Sequence, residues 1–275
     1  MTLEDLPPLR ETLDAHGLLA RKSLGQHFLL DLNITRKIAR LAGPLEGRRV
    51  IEVGPGPGGL TRALLEAGAR VTAVEKDARF LPLLEELSEA SGGRLDVILA
   101  DAMTVDEAAL ADGDPASVVS NLPYNVGTAL LIKWLTGTFT PASMTLMFQK
   151  EVADRIIAPT NGEAYGRLAV IAQATAATER VMEVPARAFT PPPKVESAVV
   201  RLVPRADRPA PQVRDALQRV TAAAFGQRRK MLRASLKPLG GEALCMAAGI
   251  DPQARAETIS VAGFLVLAEC WLARR

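Results

Sequence analysis

The chain has 275 residues, 48% of them apolar and 23% charged. That is long enough for one large domain plus a small one, and too apolar for a disordered chain. The only cysteines, Cys245 and Cys270, lie near the end without metal-type spacing, which argues against a disulfide framework and fits a reducing cytoplasm. Residues 1–14 are acidic and Pro-containing with no apolar centre, so no signal peptide is expected. The longest late apolar stretch, residues 261–268, is too short to span a bilayer. The expectation is a cytoplasmic protein with no membrane association, and nothing points to an obligate dimer.

In chain order, a polar start leads through residues 22–29 (Lys22-Ser23-Leu24-Gly25-Gln26-His27-Phe28-Leu29) to a helix over 31–42 with Asp31 as its N-cap. Residues 49–53 read as a buried strand, followed by Gly54-Pro55-Gly56-Pro57-Gly58-Gly59 and a helix over 60–67. Strands at 70–75, 95–100, 116–120 and 143–148 alternate with helices at 78–90 and 127–135. Short apolar strands alternating with amphipathic helices predict an α/β fold with a parallel sheet covered on both faces. The pattern then changes. Helices at 151–158 and 166–176 precede strands at 180–184 and 197–203, with a Pro-rich connection at 189–194 too irregular for regular structure. Residues 203–211 look like a linker, and helices follow at 212–224, 228–236, 242–248 and 260–272. The expected division is a Rossmann-like domain over 1–204 and a small all-helical domain over 205–275.

Net charge is only +2, but it is unevenly distributed. Residues 205–237 hold nine Lys/Arg against two acids, which makes that segment +7 and leaves the remainder at −5. A basic segment on a mildly acidic protein is the footprint of phosphate-backbone contact. Arg228, Arg229, Lys230, Arg233 and Lys237 are the candidate RNA-binding side chains. A solvated helix face is the plainer alternative.

The glycine-rich turn between a strand and a helix lets backbone approach a ligand closely and aims amides at it. Gly54, Gly56 and Gly59 fit G-x-G-x-x-G, a pattern shared by several nucleotide-binding families. Glu75, ending the next strand, is placed for the two ribose hydroxyls of an adenosine cofactor. Glu52 is placed to offset a cationic amine, and Asp101 to accept from an adenine amine. These two carboxylates favour S-adenosylmethionine over a nicotinamide cofactor.

Asn121-Leu122-Pro123-Tyr124 follows the strand at 116–120. An adenine exocyclic amine is a poor nucleophile because its lone pair is delocalised into the ring. Acceptors for its two N–H groups, here the Asn121 side-chain oxygen and the Leu122 carbonyl, draw it towards a tetrahedral geometry. Pro123 stiffens the turn, and Tyr124 offers a face for an extruded base, with stacking contributing about 1–3 kcal/mol. No metal-ligand cluster is visible, and this chemistry needs none. A strand ending in a Pro turn is the bland reading of the same four residues.

Taken together, the motifs resemble those of the small-subunit ribosomal RNA adenine dimethyltransferase family, over nearly the whole chain. They are Ser23 to Leu29, Glu52-Val53-Gly54-Pro55-Gly56-Pro57-Gly58, Asp101-Ala102, Asn121 to Asn125, Gln149-Lys150-Glu151-Val152-Ala153, Tyr165-Gly166-Arg167-Leu168 and Phe189-Thr190-Pro191-Pro192-Pro193-Lys194-Val195. The resemblance implies a class I methyltransferase that uses S-adenosylmethionine. It implies cofactor contacts from His27, Leu29, Gly54, Gly56, Glu75, Asp101 and Asn121. It also implies a stacking sandwich for the base between Tyr124 and Phe189, and a small ribosomal subunit with its rRNA as partner. Members often carry Asn where this chain has His27, and a catalytic base at that position is not required. Two adjacent adenosines near the 3′ end of the small-subunit RNA are the implied target, with a role in subunit assembly. The rival readings are an adenine methyltransferase of large-subunit RNA or DNA, a non-catalytic assembly factor and a nicotinamide-dependent oxidoreductase.

Overall fold

The structure, a computed structural model, describes residues 2–20, 26–227 and 229–274. Lys22, Ser23, Leu24, Gly25 and Arg228 lie outside the described residues. The regular elements begin with α1 (Leu9–Ala15), β1 (Phe28–Leu29), α2 (Leu32–Leu41), β2 (Arg49–Val53), α3 (Gly59–Glu66), β3 (Arg70–Glu75) and α4 (Leu81–Ala90). Then come β4 (Leu95–Leu99), α5 (Glu107–Ala111), β5 (Ala116–Asn121), α6 (Gly127–Thr136), β6 (Met144–Gln149), α7 (Lys150–Ile157) and α8 (Arg167–Thr175). The chain continues through β7 (Ala176–Val184), β8 (Phe189–Thr190), β9 (Ser197–Pro204), α9 (Pro211–Gly226), α10 (Leu232–Ser235), α11 (Gly241–Ala247) and α12 (Val261–Leu272).

Contacts divide the chain into two compact units. The first holds Met1–Leu131, Phe139–Ala153 and Glu179–Val203, and the second Ile132–Thr138, Asp154–Thr178 and Pro204–Arg275. This differs from a single cut at residue 204. The cause lies in α8: its Ala169, Val170 and Ala174 are buried with Leu217 and Val220 of α9 and Phe264 and Leu267 of α12. Tyr165, also fully buried there, donates its hydroxyl to the Ile259 carbonyl at 2.9 Å.

The first unit is built on a seven-stranded sheet of order β4-β3-β2-β5-β6-β9-β7. Strands β4, β3, β2, β5 and β6 are parallel, and β9 runs antiparallel to β6. In β2, Val50, Ile51 and Val53 are all buried, as a strand covered on both faces must be. Helix α2 starts where Asp31 accepts from the Asn33 amide at 2.8 Å, satisfying an otherwise orphaned N-terminal donor. β1 and β8 form a separate antiparallel pair, Leu29 opposite Phe189, so the Pro-rich connection does contain a short strand.

Two helices escape a sequence reading, α1 and α5. Among the described residues of the segment expected as a basic helix over 228–236, only α10 is helical. Met231 instead bridges Arg255, while the Leu232 and Arg233 amides donate to Ala254 and Pro252 carbonyls. Among the described residues, no helix is long and apolar enough to cross a membrane.

One packing contact in the first unit is unusually close. A Cβ on Gly59, at the start of α3, would lie 2.6 Å from the Leu29 carbonyl oxygen, a backbone atom that cannot swing away. Gly59→Ala is therefore expected to destabilise the fold by about 1–3 kcal/mol through overpacking. In urea unfolding it should lower the midpoint without changing the slope; an unchanged midpoint would mean that β1 does not press on α3.

Candidate active site

Strand β2 pairs with β3 on one side and β5 on the other. Its ladder with β5 pairs Arg49, Val50 and Ile51 with Ala116, Ser117 and Val118. A crevice past the carboxyl ends of such strands, where the connections reverse direction, is where open α/β sheets bind ligands. A cavity opens there. Around it lie Gln26 to Leu29, the glycine turn, Glu75 to Asp77, Asp101 to Met103 and Asn121 to Val126.

The glycine turn has left-handed backbone at Gly54, Gly56 and Gly58, with φ of +70°, +54° and +85°. The Gly54 amide donates to the Val74 carbonyl at 2.9 Å. Side chains are excluded here: a Cβ on Gly54 would meet the Pro123 ring at 3.2 Å. The Gly56 amide donates to Glu75 Oε2 at 3.0 Å, while Lys76 and Asp77 amides donate to Glu75 Oε1, each at 2.8 Å. Glu75 is thus a buried carboxylate held by three amides. Burial raises its pKa, and those hydrogen bonds partly oppose the rise. Each carboxylate oxygen has two acceptor sites, so one site, on Oε2, remains for a ligand hydroxyl.

Glu52 is different. It is buried at 1% exposure, and its Oε2 has no hydrogen-bond partner among the described residues. Burial pushes its pKa up to about 8, the nearby Thr61 hydroxyl opposing this and the Glu75 charge adding to it. An orphaned carboxylate oxygen on a cavity wall is a fitting partner for a ligand ammonium. Asp101 also lines the cavity, its Oδ1 accepting from the Met103 amide at 2.9 Å and its Oδ2 paired with Lys76 Nζ at 2.7 Å. Asp77 is held down to about 2, chiefly by hydrogen bonds from Arg79 and then against its own burial, with Gln26 adding a 3.0 Å bond.

The Asn121 tetrapeptide is tied to the cofactor side. Ser120 donates its hydroxyl to the Val53 carbonyl, bridging the ends of β5 and β2 beyond their ladder. Leu122 is buried, and the Pro123 ring rests on Gly54. The Tyr124 hydroxyl lies 2.6 Å from Ser197 Oγ, and burial raises its pKa. His27 stacks on the Tyr124 ring with centroids 5.6 Å apart, and its Nδ1 is 2.8 Å from the Pro191 carbonyl.

The structure therefore brings His27, Leu29, Gly54, Gly56, Glu75, Asp101 and Asn121 to Tyr124 around one cavity. Phe189 is not among its lining residues. It is 3% exposed and packed in the core with Leu29, Val184 and Val199, so the expected sandwich with Tyr124 is not formed in this structure. The ring at Tyr124 is His27. Sequence reasoning also missed Ser197, 73 residues from Tyr124, and Asp77, whose only signal is its position two residues after Glu75.

In the second unit, Arg229, Lys230, Arg233 and Lys237 are exposed. Four other cations of that segment, Arg205, Arg208, Arg214 and Arg219, have structural partners. Arg205 pairs with Asp207, Arg208 and Arg214 donate to carbonyls at 134–137, and Arg219 sits over the Trp271 ring.

The family model "Ribosomal RNA adenine dimethylase" matches residues 17–272. The chain belongs to the ribosomal RNA adenine dimethylase family. It is 73% identical over all 275 residues, and over 96% of the relative, to a protein of Phenylobacterium zucineum named "Ribosomal RNA small subunit methyltransferase A". A Caulobacter vibrioides protein of the same name is 69% identical over 92% of this chain and 98% of its own. Among solved structures, a dimethyladenosine transferase from Plasmodium falciparum shares the fold at 24% identity, with a TM-score of 0.73 over 88% of this chain and 96% of that one. The 23S rRNA methyltransferase ErmE matches at 28% identity and a TM-score of 0.65, over 88% of this chain and 98% of its own.

As a member of this family the chain is a class I methyltransferase of rRNA adenine, and its methyl donor is S-adenosylmethionine. The cavity fits that donor on two observations: the side-chain-free cradle at Gly54 and Gly56, and the orphaned Glu52 oxygen. Glu52 also gives binding a pH signature. Its carboxyl is protonated in the folded chain at pH 7 but ionised when unfolded. The free protein therefore loses stability as pH rises from about 4.5, the ordinary value, towards 8. An ammonium placed beside Glu52 favours the ionised form, so donor binding near pH 7 should release a proton. Calorimetry in buffers of different ionisation heat is expected to detect that release, and Glu52→Gln to remove it. Equal proton release in the variant would exclude Glu52 as its source.

Proposed function

We propose that this methyltransferase dimethylates the exocyclic amines of two adjacent adenosines near the 3′ end of small-subunit rRNA, in the course of subunit assembly. The observation that carries the reading is Asn121-Leu122-Pro123-Tyr124 packed by its proline onto the glycine cradle, so that amine acceptors and donor cradle share one cavity. The 73% identical relative named for the small subunit supports this target over the large one, where the ErmE likeness is only 28%.

In this reading Gly54 and Gly56 admit the donor close to backbone, Glu75 accepts from its ribose through the open site on Oε2, Asp101 from its adenine amine, and Glu52 faces its ammonium. His27 and Leu29 close the cavity from the N-terminal side. When bound, S-adenosylmethionine supplies an electrophilic methyl group on a sulfonium. Asn121 Oδ1 and the Leu122 carbonyl accept the two N–H bonds of an extruded adenine, turning its lone pair towards that methyl. Tyr124 stacks on the base. Alignment of the two reactants supplies much of the rate, since well-oriented groups recover roughly 7–11 kcal/mol of barrier. The displacement is direct, and no metal takes part. Phe189 closes the second face only if the β1–β8 pair shifts as the base enters.

Arg229, Lys230, Arg233 and Lys237, with Arg228, grip RNA phosphates. Phosphate contacts position without reading sequence, so target choice rests on the shape of the assembling subunit. The protein acts as a monomer in the cytoplasm.

Labelled methyl transfer to small subunits lacking adenine dimethylation tests the reading, with large subunits as control. Label is expected as dimethyladenosine in small subunits only; label in the large subunit would overturn the target. Asn121→Ala should cut turnover by about a hundredfold or more, the scale for losing one preorganised polar contact, while RNA affinity stays unchanged. Replacing Arg229 and Lys230 by Ala should reduce the slope of log affinity against log salt by about 1.4–1.8. An unchanged slope would remove them from the RNA interface.

A further inference from the structure

Tyr124 carries the aromatic face of the tetrapeptide, and two side chains far away in sequence hold it. Its hydroxyl meets Ser197 Oγ at 2.6 Å. Ser197 is fully buried at the first position of β9, where it pairs with Gln149 of β6. The second constraint is His27, whose ring lies 5.6 Å from the Tyr124 ring with the planes inclined at 29°. His27 is itself fixed, because its Nδ1 lies 2.8 Å from the Pro191 carbonyl. A carbonyl can only accept, so Nδ1 carries the hydrogen of that bond.

These contacts act on different torsions. A tyrosine side chain has two, χ1 and χ2. The hydroxyl lies on the χ2 axis, so the bond to Ser197 fixes where the ring points but leaves it free to rotate about that axis. The imidazole lies against the ring face and blocks this rotation. One contact alone leaves the plane or the direction unset, and both together set one pose.

We propose that Ser197 and His27 are positioning residues for the methyl transfer, presetting the direction and the plane of the Tyr124 ring on which the target adenine stacks. The inference rests on the reading of Tyr124 as the stacking face. It also assigns the face. A base between two rings needs two aromatic contacts of about 3.5 Å, or roughly 7 Å between the outer planes. The 5.6 Å separation is too small, so His27 covers one side and the adenine takes the other. A preset ring loses no rotational freedom when the base arrives, and both residues act through Tyr124.

The test is turnover at saturating concentrations of small subunits lacking dimethylation, with donor affinity measured separately by calorimetry. Ser197→Ala and Tyr124→Phe each break the same hydrogen bond, and each should lower kcat by about five- to tenfold, the weight of one such bond, with donor affinity unchanged. The double variant should be no slower than either single one, and Ser197→Thr should restore kcat. His27→Asn keeps an N–H for Pro191 but removes the ring; it should also lower kcat, and His27→Phe should recover most of the loss. Multiplied losses in the double variant would show that Ser197 acts on the fold and not on the hydroxyl, overturning its role. Failure of His27→Phe to recover activity would overturn the stacking role. Tyr124→Ala separates the two levels. Full turnover in that variant would sink the base-stacking reading itself, whereas a large loss alongside inert Ser197 and His27 variants would sink only the positioning inference.

Discussion

The contact between Gly54 and the Pro123 ring sets the geometry on which the rest of the site depends. The loop after β2 cradles the donor, and the loop after β5 presents the acceptors for the adenine amine. Methyl transfer needs a fixed spacing between them, and effective alignment is lost over about an ångström. A proline ring against a glycine α-carbon is a stiff spacer on both sides, since Pro123 has few torsions to yield and Gly54 has no side chain to intrude. The 3.2 Å that a Cβ would have to Pro123 shows how little slack remains. The Ser120 hydroxyl on the Val53 carbonyl closes the gap just below. Spacing is therefore set by backbone and one ring, not by side chains that other contacts could displace.

Beneath that spacer lie two carboxylates treated in opposite ways. Glu75 receives three amide hydrogens, so its charge is solvated by the protein before any ligand arrives. Glu52 receives none at Oε2 and is held neutral at pH 7 by its burial. A pre-solvated carboxylate suits neutral hydroxyl donors, which need an acceptor and supply no charge. An unsolvated one suits a cation, because a neighbouring ammonium favours the ionised form that burial alone disfavours. One turn thus prepares two sites of different selectivity.

The parts of the fold legible in the sequence are those whose burial is expressed locally. β2 and β3 coincide with expectation to the residue because Val- and Ile-rich runs end at glycines or charges. α1 was invisible because only Leu9 and Leu13 of it are buried, too few for a periodic signal in a Pro-flanked stretch. The residues just before α10 have helical composition, yet Arg229 and Lys230 form a turn and Met231 bridges Arg255, more than twenty positions away. The site shows the same limit. Gly54, Glu75, Asp101 and Asn121 each follow a strand, and the sheet alone brings strand ends together. Ser197 and the burial of Phe189 depend on which strands neighbour which, β9 beside β6 and β8 against β1, and no spacing encodes that.

Charge counting needs the same discipline. The segment from Arg205 to Lys237 is rich in cations, yet four of them are engaged in structural contacts within their own unit. Arg208 and Arg214 donate to the carbonyls of Trp134, Leu135, Thr136 and Gly137, at 2.7–3.2 Å. Those are the carbonyls that the last turn of a helix leaves without partners, and a guanidinium there also meets the negative end of the helix dipole. Burial lowers the pKa of both arginines, which donate to these carbonyl oxygens. Moving either onto a phosphate would expose those carbonyls unpaired. Arg205 is neutralised by Asp207 at 2.9 Å, and Arg219 lies on Trp271. Salt dependence counts the counterions released per phosphate contact, so it reports the exposed cations from Arg229 to Lys237 and not the composition of the segment. A sequence tally overstates such an interface whenever arginine doubles as a helix cap, and here two of its arginines do.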